Sequence, residues 1–153
     1  SRPENFHYGW ATNGPNVYEA EFDPATGKLG RPVLLSETVP GHNWRPSYSP
    51  DGKSIAWLVS NVTTPNPQVG DLVIRDLASG REKSFRAGTP FHSLSWSPDS
   101  RRILLQAQSI EANTVEIHMF DLATGQFSLF ASLSPHRNPL HPVFSKDGST
   151  VYA

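Results

Sequence analysis

The chemically most versatile residues in this chain are its six histidines, at positions 7, 42, 92, 118, 136 and 141. A metal site on a short segment needs two of them at a chelating spacing such as H-x-x-x-H, and no pair has it. Cysteine is absent, which removes thiolate ligands, thiol nucleophiles and disulfides together. Neither a metal nor a cofactor is expected. Serine chemistry has no better footing. There is no G-x-S-x-G elbow, and the serines of "SYSPDG" and "SWSPDS" sit at strand ends beside proline, with no helix to frame an oxyanion hole. Glu19 and Glu21 share one strand face and are expected to be solvated rather than to act as an acid-base pair. "NVT" at Asn61 matches a glycosylation acceptor, a short pattern that is frequent by chance. On these residues the expectation is that the chain is not an enzyme.

The elements that would position any such residues are legible as repeats. "RPSYSPDGKSIAWLV", "SLSWSPDSRRILLQA" and "HPVFSKDGSTVYA" align without a gap, so that Ser49, Ser97 and Ser145, and likewise Asp51, Asp99 and Asp147, recur every 48 residues. A second word, "DPATG" at Asp23, "DLASG" at Asp76 and "DLATG" at Asp121, falls between copies of the first and is spaced by 53 and then 45 residues. The first word is turn chemistry. Pro50 presets φ, Asp51 bonds nearby amides and Gly52 accepts φ > 0, so S-P-D-G reverses the chain between two strands. In the later copies Ser100 replaces that glycine and Lys146 replaces the proline, while Gly148 keeps the glycine slot. Asp51, Asp99 and Asp147 are expected to accept backbone hydrogen bonds at equivalent places, as turn residues.

Between the words the periodicity is that of strands. "SIAWLVS" is apolar almost throughout, as for a strand covered on both faces. "VEIHMFDL" alternates Val115, Ile117 and Met119 with Glu116 and His118, the mark of a half-exposed strand. "QFSLFAS" follows the second word as a fourth strand. Tyr48, Trp96 and Phe144 occupy one repeat slot and are expected in the core. Four short antiparallel strands every 48 residues predict an all-β fold of β-propeller blades.

The paired words resemble the Pro-Asp repeats of TolB-like β-propellers, found in bacterial periplasmic and multidomain proteins. That resemblance implies a rigid scaffold whose ligands or partner segments bind near the central channel. The same repeats occur in TolB itself, in propellers attached to serine peptidases and in many proteins of unknown role.

Counting strands leaves about three blades: an incomplete one over about 5–38, complete ones over 44–87 and 91–132, and a partial one over 140–153. Propellers close with four to eight blades, and open flanks would expose unpaired edges. Two readings follow: the remainder of a longer chain, or a homodimer that completes a six-bladed ring.

Charge narrows the partners. Thirteen Lys and Arg against 14 Asp and Glu give a net charge of -1, so neither nucleic acid nor an anionic membrane surface is expected. The longest apolar run is about five residues, far short of the roughly 20 that cross a bilayer, and no transmembrane or signal segment is expected. His42, His92 and His136 lie in or just before the connections between successive blades, and Arg45, Ser93 and His141 share one repeat position that a ring would gather at the channel mouth. These six are the candidate binding residues, for a protein or peptide partner. The connection "NVTTPNPQVGD" is a candidate interaction loop. The favoured expectation is a non-catalytic TolB-like binding scaffold in a periplasmic or secreted setting, the cytoplasm being left open. Its alternative is an accessory or substrate-gating propeller of an enzyme such as a serine peptidase or a carbohydrate-active protein.

Overall fold

A computed structural model of the chain describes residues 16–36, 41–60, 70–109, 114–133 and 141–153. The start of the incomplete first blade, residues 5–15, His136, and most of the loop that begins at Asn61 lie outside the described residues. Every element among those described is a strand. β1 (Tyr18–Glu19), β2 (Phe22–Asp23), β3 (Lys28–Leu29) and β4 (Val33–Leu34) form an interrupted hairpin, β1 pairing with β4 and β2 with β3. Next comes an antiparallel sheet of β5 (His42–Tyr48), β6 (Ser54–Ser60), β7 (Gly70–Asp76) and β8 (Glu82–Arg86), in chain order. β9 (Phe91–Trp96), β10 (Arg102–Ser109), β11 (Thr114–Asp121) and β12 (Gln126–Leu133) repeat that arrangement. β13 (Val143–Phe144) and β14 (Val151–Tyr152) begin another.

The apolar run of β6 is explained by what covers it. Successive side chains of a strand point to opposite faces. Ile55, Trp57 and Val59 enter one cluster with Val17, Leu35 and Val73 of the preceding hairpin and their own sheet. Ala56 and Leu58 enter the other, with Phe91, Trp96, Ile103, Leu105 and Phe120 of the following sheet. Both faces are dry, so alternation with polar residues would bury unpaired polar groups. Each such buried side chain contributes about 1.5–3 kcal/mol. Rings tighten the second cluster, with Phe120 lying 4.7 Å from Phe85 and 4.9 Å from Phe127 between centroids.

β11 departs from its expected half-exposed character. Glu116 and His118 do not face open solvent. Their side chains are only 22% and 16% exposed and pair at 2.9 Å, and the His118 ring meets Phe91 edge-on at 5.5 Å. The alternation does separate two faces, but the polar face is partly covered, with the Phe91 ring against His118, and is satisfied by its own pair.

The three S-x-D turns are superimposable in their bonding. In the first, the Ser49 hydroxyl donates to Asp51 Oδ1 at 2.6 Å and accepts the Ser54 amide at 2.9 Å, while the Lys53 amide donates to the same carboxylate at 3.1 Å. Ser97, Asp99, Arg101 and Arg102 repeat the set, as do Ser145, Asp147, Ser149 and Thr150. The last turn residue is left-handed in all three, with φ of 69° at Gly52, 60° at Ser100 and 73° at Gly148. Ser100 therefore adopts a conformation that usually selects glycine.

Candidate functional site

β9 lies against both β5 and β13, which makes these three the inner strands. Each runs into its S-x-D turn, so residues at its start lie at the opposite end of the sheet from the turns. His42 opens β5 opposite Ser60 and is half-buried. The chain enters it through Gly41, whose φ of 131° and whose would-be Cβ, 2.8 Å from the Ser60 carbonyl oxygen, both demand glycine. Asn43 is buried and accepts the Trp57 indole N–H at 2.9 Å while donating to the Gly41 carbonyl at 3.1 Å. That pair fixes the entry of β5 against β6.

Both complete inner strands are bulged near this end. In β5 the register moves by one between Trp44, opposite Leu58, and Ser47, opposite Ala56, so Arg45 and Pro46 together face Trp57. In β9 Phe91 faces Ala107 and Ser93 faces Gln106, leaving His92 as the extra residue. A bulge re-aims the side chain it carries. Pro46, with no amide to offer a ladder, suits the site. Arg45 itself has φ of 57°, an unusual conformation for a non-glycine residue.

Of the six candidate residues, Arg45 and His141 are exposed and His42 and His92 half-exposed. Ser93 is turned inward, 3% exposed, with its hydroxyl 3.5 Å from Gln106 Oε1. His141 precedes the fully buried Pro142 and β13. The residue missed in the sequence is Trp44. Its ring, 36% exposed, meets His92 edge-on with centroids 6.4 Å apart. Trp44 and His92 are 48 residues apart, the repeat interval itself, so the signal was present in the spacing. A crevice of about 20 Å3 between the sheets at this end is lined by Trp44, Ser60, Asp71 and Phe91 among others. The acid there is already engaged, since Asp71 receives the Ser84 hydroxyl at 3.3 Å and lies 3.7 Å from Arg86.

The other end holds the turn aspartates. Asp51, Asp99 and Asp147 are held below the ordinary carboxylate value of 3.8, first by the hydroxyl of Ser49, Ser97 or Ser145 and then by a turn amide, Asp147 reaching about 2. Asp23 and Asp76 are lowered mainly by the Thr26 and Ser79 hydroxyls, and Asp121 mainly by the Thr124 amide. Carboxylates so held make poor general bases near neutral pH. A cavity of about 470 Å3 at this end, lined by Asp76, Arg81, Lys83, Phe85, Phe120 and Leu122 among others, follows the seam between the two sheets. Among the described residues no group of three or more His, Asp or Glu is placed to hold a metal.

The sheets and their order define the chain as β-propeller blades. No family model matches the sequence. Dipeptidyl-peptidase 5 of Porphyromonas gingivalis is 33% identical over 91 residues, covering 58% of this chain and 13% of that protein. The matched stretch thus spans about an eighth of the length of that curated relative. The β-propeller domain of the Trilobed protease from Pyrococcus furiosus superposes with a TM-score of 0.56 at 18% identity, over 71% of this chain and 32% of that one. A putative dipeptidyl aminopeptidase IV from Bacteroides ovatus does so with a TM-score of 0.52 at 15% identity, over 83% and 26%. At such identities the two structures establish the fold alone. The expectation that the protein is not an enzyme is overturned by the relative, a peptidase. It rested on motifs absent from 153 residues, whereas the relative is a far longer chain. The same relative favours the peptidase-propeller alternative over the free-standing binding scaffold, and the matches do not single out the TolB-like branch.

Proposed function

We propose that these blades belong to the propeller of a peptidase and that their inner-strand end admits and positions peptides for a catalytic centre elsewhere in the protein. The observation that carries this is the 33% identity to a dipeptidyl-peptidase over 91 residues, far above the identities at which propeller folds match by shape alone. The mouth suits the role. It offers exposed Arg45, half-exposed His42 and His92, and the partly exposed Trp44, on strands paired with the buried β6 and β10. The repeat words that resemble TolB-like propellers support a second reading, in which the same mouth holds a protein partner and no peptide bond is cleaved.

The test uses the complete protein that carries these blades, incubated with defined oligopeptides and read by mass spectrometry. Release of short peptides, dipeptides foremost, is the expected result. Intact oligopeptides after prolonged incubation would overturn the peptidase reading.

A further inference from the structure

The two bulges on the inner strands carry Arg45 and His92, and the residue beside Arg45, Trp44, touches the His92 ring. Two neighbouring strands therefore each spend one extra residue at the same end of the sheet, and in both that residue is a hydrogen-bond donor with accessible surface. Arg45 takes part in no ion pair among the described residues, although it is held at a φ of 57° that most residues avoid. A strained, unpaired cation on a rigid strand is poorly explained by folding, because glycine would serve the backbone better. Asp71, the acid that lines the crevice beside Trp44, is already engaged by Arg86 and Ser84.

We propose that Arg45 and His92 form an anion-binding lip that takes a carboxylate of an extended peptide at the channel mouth, with Trp44 as its apolar backing. Arg45 presents a planar fork of donors that matches a carboxylate in two places, and His92 adds a ring N–H. Trp44 supplies a surface for the aliphatic part of the residue bearing the carboxylate. This lip rests on the reading of the mouth as a peptide entrance. The chemistry is common to a C-terminal carboxylate and to an acidic side chain.

The experiment measures equilibrium binding to the complete protein by fluorescence anisotropy, using peptides whose dye blocks the N-terminus against dipeptide removal. One peptide has a free C-terminal acid and no acidic side chain, a second is its amide, and a third is the amide with one internal glutamate. The expected result is that at least one acidic peptide binds about tenfold more tightly than the neutral amide, the scale of a charge-assisted hydrogen bond. Which one does so identifies the source of the carboxylate. Arg45→Gly should erase the preference while preserving the fold, since glycine accepts the local φ, and Arg45→Lys should restore part of it. Equal binding of all three peptides would overturn the lip and leave the peptide entrance intact. Failure of every peptide to bind, together with absent hydrolysis, would overturn both.

Discussion

The amide of Asp51 and the hydroxyl of Ser100 meet at 3.1 Å across the boundary between the two complete sheets. Ser100 is the residue that stands where the other two turns have glycine, and its side chain is what reaches the preceding turn. Its left-handed φ of 60° is thus offset by a bond that glycine could not make. Ser100→Ala keeps the unfavourable φ and loses the bond, and is expected to cost about 1 kcal/mol. Ser100→Gly loses the bond but relieves the backbone by a similar amount, roughly 1 kcal/mol, and should fall near the parent. Urea denaturation of both variants checks this, and a Gly variant as weak as the Ala variant would refute the compensation.

Acid should unfold the blades through their turns. Asp23, Asp51, Asp76, Asp99, Asp121 and Asp147 are all held below 3.8 in the fold. A lowered folded value stabilises the fold above the unfolded value, and the gain is lost as pH falls through the folded one. The loss is therefore expected from about pH 4 downward, continuing to about 2 for Asp147. The urea midpoint followed against pH measures it. Asp147→Asn, which cannot titrate, should shallow the decline, and a decline centred near pH 6 would assign the effect to histidine instead.

Phe120 is the keystone of the inter-sheet cluster, fully buried between Phe85 and Phe127. Truncation to Ala leaves a cavity that flanking rings on fixed strands cannot fill, and is expected to cost about 3–5 kcal/mol. Loss of well under that in chemical denaturation would show that the two sheets can slide together.

The outer strands differ in how they guard their edges. β8 carries Glu82, Lys83 and Arg86, whereas β12 has no charged residue and exposes Leu129 at 57% and Phe130 at 50%. An uncharged eight-residue edge is a template for pairing with another chain. Phe130→Lys, placed where the pairing of β11 with β12 is irregular, should lower light scattering at high concentration with little change in stability. Unchanged scattering would move the aggregation-prone surface elsewhere.

Most of the architecture was legible because it is written in local periods. A proline, an aspartate and a glycine in succession specify a reversal wherever they occur. A strand buried on both faces must be apolar at every position, and so "SIAWLVS" could be placed before any neighbour was known. The repeat spacing then orders the strands. What lies at the inner-strand end was not legible to the same degree. Whether a strand carries an extra residue depends on its register with its partner, and nothing in "HNWRPSY" or "FHSLSW" announces the bulges that make Arg45 and His92 prominent and turn Ser93 inward. Glu116 and His118 were visible as one face of a strand, but only the fold sets the Phe91 ring, from the first strand of the same sheet, against His118. The contact of Trp44 with His92 joins residues 48 apart, and it exists because the tertiary structure lays one inner strand beside the next. The sequence by itself thus determined the strands, the turns and their repetition, through constraints acting within a few residues. Tertiary structure alone decided which polar side chains are accessible at the inner-strand end, because that follows from register and packing between segments distant in the chain.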